Sequence, residues 1–343
     1  MTITDHPLVV RARRLASELL VPEAERVDQE GVPASHIEAV RRSGLLGLTA
    51  PVAYGGSAAP PAVVREVAEI LAGACGSTWF VQSQHHTPVQ VLARGEPAAR
   101  ERLLGPLARG ELLSGVAYAQ LRAHPNAPVR AHHDGSGWRF DGRVPWCTGW
   151  GLNDVLLLAG LTDDDEAVFV FVAAREQPGL RPSAPLRLAA LTAARTVSLE
   201  LDGLRVPDDS LALRIPYAEW APTDRAKTLN THPAVFGIAA AALSLLDDDT
   251  ASPLRTRLAD IRSRAYALAD HPSPLDRVDE RLAVRAEAYA ALNTATTAAV
   301  LAGGGRAMSL TSRAQRLARE GMFLLIQGQT AETRRAHLEA LAR

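Results

Sequence analysis

Between Leu113 and about Arg214 the spacing of apolar residues changes from a helical period to a period of two, and changes back after Tyr217. That switch constrains the fold more than any single motif. Ser114 to Gln120, Gly137 to Val144, Val155 to Ala159, Ala167 to Ala173 and Thr196 to Leu201 are short apolar or alternating runs parted by Gly, Asp and Pro, the pattern of strands joined by turns. Short strands at this spacing predict a small antiparallel β-barrel or sandwich. At its centre Asp141 to Gly160 reads DGRVPWCTGWGLNDVLLLAG, two tryptophans among turn formers followed by a continuous apolar run.

Either side is rich in Ala and Leu at helical spacing. Before the strands, a helix is expected from Ser35, taken as its N-cap, to Leu45, and a long apolar one from Ala62 to Ala74. A Gly- and Pro-rich loop separates them. After the strands, helices are expected over about Asn230–Leu246, Leu254–Leu268, Val278–Ala302, Ser312–Leu325 and Ala331–Leu341. The fold class predicted is α+β and multidomain: a helical domain over 1–112, a β domain over 113–214 and a helical bundle over 215–343.

A chain of 343 residues has room for two or three domains, each with its own core. Lys and Arg number 37 against 38 Asp and Glu, a formal charge of −1, which speaks against nucleic acid or an anionic membrane as the main partner. The N-terminus lacks a basic start before a long apolar core, and no run approaches the roughly 18 apolar residues of a membrane span. Cys75 and Cys147 lie in apolar surroundings, as buried free thiols of a reducing compartment do, so a cytoplasmic protein is expected. His85 and His86 are adjacent, do not share a helix face and have no third ligand at i+4, so no metal site is read there.

Five stretches, in order, resemble the acyl-CoA dehydrogenase family. HIEAVRRSGLLGLTAPVAYGG (36–56) is similar to its helix followed by a P-x-x-x-GG loop, and ACGSTWFVQSQHH (74–86) to its GS-x-A helix. GRVPWCTGWGLNDVLLLAG (142–160) resembles G-x-K-x-W-I-T-N with an apolar strand after it, and LDGLRVPDDSLAL (201–213) the V-x-V-P phrase. GGGRAMSLTSRAQRLAREGMFLLIQGQT (303–330) resembles GG-x-G, P-x-x-R-x-x-R-D and Y-E-G-T. The resemblance implies a helical domain, a β-barrel domain and a C-terminal helical bundle, assembled as a homodimer or homotetramer. It also implies FAD held between the β domain and the bundle. Trp146 would then lie against the flavin ring and Thr148 would hydrogen-bond its polar edge, roles that suit a flat indole and a hydroxyl that both donates and accepts. Gly303, Gly304 and Gly305 would let a neighbouring subunit's FAD approach the backbone.

The sequence departs from the family where the chemistry lies. Family dehydrogenases remove an α-proton with the glutamate of Y-E-G-T, a role suited to a buried carboxylate of raised pKa. Here the phrase is Gln327-Gly328-Gln329-Thr330, and Gln327, taken as the base position, is a neutral amide. In some relatives the base comes from the first C-terminal helix, at a position near Lys227, where Asp224 is the nearest carboxylate and His232 the nearest imidazole; either could substitute if the loop bends suitably, and Asp224 is taken as the catalytic candidate. The T-E-P-x-x-G-S-D segment is replaced by YAQLRAHPNAPVRA (118–131), of which Gln120 is the remaining candidate for a flavin contact. The R-x-x-F-G phrase is replaced by LLDDDTASPLR, read as a solvated charge run whose aspartates would repel a pyrophosphate. The expected function is therefore a flavin-dependent oxidoreductase acting on an acyl thioester or related substrate. The alternatives are a flavin monooxygenase on the same fold, or a base-lacking, even flavin-free, subunit of a hetero-oligomer with a related chain.

Overall fold

The computed structural model describes residues 2–342. Seven helices come first: α1 (Pro7–Leu15), α2 (Val21–Glu30), α3 (Ala34–Ser43), α4 (Pro61–Ala74), α5 (Gly76–Ser83), α6 (His86–Arg94) and α7 (Pro97–Ala108). A proline opens α1, α4 and α7, where its missing N–H has no helical partner to lose and its fixed φ already suits a helix. Ser35 is not the cap of α3. Pro33 occupies that position without a side-chain hydrogen bond, and Gly44, at φ 74°, stops the helix in a left-handed turn that a side chain would strain.

The strands are β1 (Ser114–Ala117), β2 (Val129–His133), β3 (Gly137–Cys147), β4 (Val155–Leu161), β5 (Glu166–Ala173), β6 (Leu180–Pro182), β7 (Val197–Pro207) and β8 (Leu211–Pro216). Their order is β6-β7-β3-β2-β4-β5-β8, with β1 alongside β4. The expected antiparallel barrel or sandwich is corrected here. β6 and β8 end the sheet without pairing to each other, and β1 runs parallel to β4 from Ser114↔Val155 to Ala117↔Leu158. β1 is followed by a 3-10 turn, Ala119–Ala123, rather than by a hairpin, and its partner β4 is three strands later in the chain. The sheet is open and mixed.

The continuous apolar runs of β4 and β5 are explained by burial on both faces. Leu156, Leu158, Val168 and Val170 point into a core shared with Phe140, Leu199 and Leu201. The alternate residues Leu157, Ala159, Phe169 and Phe171 pack with Val89, Leu92, Leu104 and Leu107 of α6 and α7.

Six helices follow: α8 (Tyr217–Leu229), α9 (Pro233–Leu243), α10 (Asp248–Ala269), α11 (Val278–Gly303), α12 (Arg313–Ile326) and α13 (Ala331–Leu341). The three aspartates are exposed, as expected of a charge run, but they start a helix rather than form a loop. Asp247 caps the helix, accepting from the Thr250 amide at 2.9 Å, and Asp248 and Asp249 fill its first turn, where the helix dipole favours negative charge. Helices from both ends of the chain share one apolar core, from Leu8 and Val9 through Leu71 and Phe236 to Leu292 and Leu324. At its middle α4 meets α9 glycine to glycine: a Cβ on Gly73 would stand 2.6 Å from the Gly237 carbonyl oxygen, and one on Gly237 2.1 Å from that of Glu69. Among the described residues no helix is long and apolar enough to cross a membrane.

Candidate active site

A cavity of about 640 Å³ opens between the sheet and the helices. Its sheet wall is the end of β3 and the turn beyond. Val144 and Cys147 are buried in the sheet core, and the register against β7 shifts between them, which lets the strand turn Trp146 outward. Trp146 is 53% exposed and lines the cavity. Thr148 is buried beside it, its hydroxyl 3.1 Å from that of Thr196, and its carbonyl accepts from the Asn153 side-chain amide at 2.8 Å. Gly149 makes this turn at φ 80°, with the Asn153 Nδ2 where its Cβ would be, at 2.7 Å. Backbone bonds from Gly149 to Ala194 and from Trp150 to Arg195 tie it to the neighbouring loop. Burial pushes the Cys147 thiol up to about 12, so this nearby sulfur is inert.

The helical wall has a different chemistry. Asp224 of α8 lines the cavity, and both its oxygens accept from one guanidinium, Arg122 Nε at 2.7 Å and Nη2 at 2.9 Å. The bidentate pair takes one lone pair of each oxygen and fixes the orientation of the carboxylate. Lys227 stands at the rim, where desolvation lowers its pKa. His232 opens α9, and its Nδ1 accepts from the Ala234 amide at 3.2 Å. Burial lowers it to about 4, so above that pH the ring is neutral with its proton on Nε2, and it presents a donor rather than a base. Phe80 and Phe323, in edge contact at 4.9 Å between centroids, form the apolar part of the lining.

The cavity thus brings together five sequence candidates, Trp146, Thr148, Asp224, His232 and Gln327. Gln327, a neutral amide, is followed in the lining by Gly328 at φ 65°. Gln120 lies elsewhere: it is in the 3-10 turn, and its amide nitrogen donates to the carbonyls of Ala117 at 3.0 Å and Ala159 at 2.8 Å. Gly303, Gly304 and Gly305 are exposed at the end of α11 and form no part of the cavity lining. Sequence reasoning missed Arg65 and Arg285 in the lining, because an arginine at helical spacing reads as solvent-facing, and Arg122, which lies in a segment read as strand-to-loop. Adjacent His85 is a structural pin, its Nδ1 accepting from the Ser114 amide at 3.0 Å and its Nε2 lying 3.2 Å from the Leu107 carbonyl.

Residues 5–111 match the family model for the acyl-CoA dehydrogenase N-terminal domain. Mitochondrial isovaleryl-CoA dehydrogenase of Pongo abelii is 25% identical over 207 residues, 57% of this chain and 49% of the relative. Dibenzothiophene monooxygenase of Rhodococcus erythropolis is 26% identical over 215 residues, 60% of this chain and 51% of the relative. The chain spans about half the length of the curated relatives it matches. Among solved structures, a glutaryl-CoA dehydrogenase of Mycobacterium smegmatis in complex with FADH2 superposes with a TM-score of 0.79 at 18% identity, covering 97% of this chain and 93% of that one. The chain has the acyl-CoA dehydrogenase fold. The family-model match covers the N-terminal helices, and the cavity wall contributed by α8 and the α12–α13 link lies outside it.

Proposed function

We propose that the chain is a flavin-dependent oxidoreductase that uses FAD and acts on an acyl thioester or a related substrate. The observation that carries this reading is the sheet wall: a half-exposed indole beside two hydrogen-bonded threonine hydroxyls, on a turn pinned by Asn153. An aromatic face next to hydroxyls that both donate and accept fits the flat ring and polar edge of a flavin. A bound flavin supplies a two-electron acceptor that the protein's own side chains lack. The residues of the chain do the rest. Trp146 and Thr148 orient the ring, and Phe80 and Phe323 keep water from the acyl chain.

Among the described residues Asp224 is the single carboxylate in the lining, and it is engaged with Arg122. That observation favours, as a second reading, a reaction with no α-proton to remove, such as an oxygenation by reduced flavin. Purified protein titrated with FAD and then mixed with acyl-CoA without oxygen separates the two. Bleaching of the flavin supports dehydrogenation, turnover only with supplied reduced flavin and oxygen supports oxygenation, and failure to bind FAD overturns both.

For partners we propose a second copy of the chain. Leu301, Met308, Leu310, Met322, Ile326 and Leu338 are 55% or more exposed on α11 to α13, beside the glycine run, an apolar surface of the kind a subunit interface covers. The same end would then meet the adenosine diphosphate part of the neighbour's FAD at Gly303–Gly305. Two buried free thiols, Cys75 and Cys147, fit a cytoplasmic setting.

A further inference from the structure

Two arginines one helical turn apart on α11 are buried in different ways. Arg281 is 2% exposed, and its donors are used: Nε to the Asp276 carbonyl at 2.8 Å, Nη1 to the Asn230 side-chain oxygen at 2.6 Å and Nη2 to the Ser273 carbonyl at 3.3 Å. It serves as a strut for the link between α8 and α9. Arg285 is 3% exposed and lines the cavity, yet it makes one hydrogen bond, from Nη1 to the Asn230 carbonyl at 2.7 Å, and its buried Nε has no partner. Its guanidinium lies over the Tyr289 ring, 4.7 Å from the centroid, an arrangement that holds a cation in place without neutralising it.

Among the described residues no carboxylate pairs with this charge. Asp224 is bound to Arg122, and Asp270, the nearest acid to the cavity residue Arg65, is bound to that arginine at 2.8 and 2.7 Å. Around Arg285 stand groups that are neutral or donate: the Asn230 backbone, His232 with its Nε2–H, Tyr289, and His337 packed on Tyr289 at 4.8 Å. Nε is closed off from the cavity, but Nη2 makes no hydrogen bond among the described residues, and a guanidinium withdrawn from water with an unused donor is costly until an anion completes it.

We infer that the cavity is built for an acyl substrate that itself carries an anionic group, a carboxylate or its equivalent, which Arg285 receives together with the His232 Nε2–H. This rests on the reading of the cavity as an acyl-thioester site. A guanidinium and an imidazole N–H facing one cavity match the two oxygens of a carboxylate. The same chemistry also fits one other source, the diphosphate of the cofactor or of coenzyme A.

Isothermal titration of the full-length protein with two pairs of thioesters tests the inference: succinyl-CoA against 4-methylpentanoyl-CoA, and adipyl-CoA against 6-methylheptanoyl-CoA. Within each pair a carboxylate replaces a branched methyl end, so the coenzyme part cancels. The carboxylated member of one pair is expected to bind about tenfold or more tightly, with the preference falling below about threefold in Arg285→Gln and partly kept in Arg285→Lys. Gln retains an amide donor for the Asn230 carbonyl, and the Lys variant guards against a misfolded Gln variant. Equal binding within both pairs, or a preference that survives Arg285→Gln, overturns the inference. So does loss of FAD affinity in Arg285→Gln with the ester preference unchanged, which would assign the arginine to a diphosphate. Flavin content of the same preparation reports separately on the underlying reading: a flavin-free protein that keeps the preference would break that reading and not this one.

Discussion

Trp146, Thr148 and Thr196 stand on a strand end pinned by neutral hydrogen bonds, whereas Asp224, Lys227, His232 and Arg285 crowd the facing helices with charge and with donors. On the proposed reading the sheet wall offers a flat cofactor an aromatic face and hydroxyls. Among the described residues the helical wall presents one carboxylate, paired with Arg122, and a buried cation without a counter-ion. The two walls therefore differ in what specifies them: local turn geometry on one side, and charge pairing between distant segments on the other.

The largest effect expected lies behind the helical wall. Arg316 and Glu320 are both buried on α12, bonded to each other at 2.9 Å, with Glu25 on the arginine at 3.1 Å and the Gly76 amide on the glutamate at 3.2 Å. Glu320→Ala leaves a buried guanidinium short of its partner and should cost about 3–5 kcal/mol in urea unfolding; a loss below about 1 kcal/mol would mean that the wall is not held by charge.

Acid should act on the sheet side through His85. Burial lowers its pKa from 6.5 to about 3, so below 6.5 the unfolded chain takes up a proton that the folded chain refuses, and stability falls as the pH drops. The contribution is roughly 1.4 kcal/mol per pH unit between about pH 6 and pH 4. His85→Gln should flatten the stability–pH curve by that slope, and an unchanged curve would remove His85 from the account.

Trp146→Ala should weaken FAD binding by roughly 30-fold, about 2 kcal/mol, by loss of an aromatic face. Because the side chain is 53% exposed, the unfolding midpoint should barely move. Smallest of all, Asp224→Asn should reduce stability by about 1–2 kcal/mol while leaving any flavin reduction by acyl-CoA within about threefold. A hundredfold loss of reduction at unchanged stability would instead make Asp224 the base and erase the contrast between the walls.

Much of the fold is written in local patterns. The paired apolar runs of β4 and β5, the stop at Gly44 and the last helix, Ala331–Leu341, follow from periodicity and turn chemistry. The open sheet does not, because the parallel β1–β4 pairing joins segments some 40 residues apart and no local signal records it. Within the site, Trp146 and Thr148 were legible because their phrase is continuous in sequence. Gln120 was not, since its strand ends at Ala117 and the turn aims its amide at the sheet backbone. Arg285 was hidden for another reason: whether a helical arginine faces water or a cavity depends on what packs over it, here the link at Asn230 to His232 from another part of the chain.

The central claim is that the sheet wall still holds a flavin although the helical wall no longer offers a free base. FAD titrated into the purified chain, followed by tryptophan fluorescence and by the flavin absorption bands, tests it most directly. The account predicts saturable binding close to one FAD per chain, with a shifted flavin spectrum and fluorescence quenching that is much reduced in Trp146→Ala. Absence of saturable binding, or binding to which Trp146→Ala is indifferent, would contradict it.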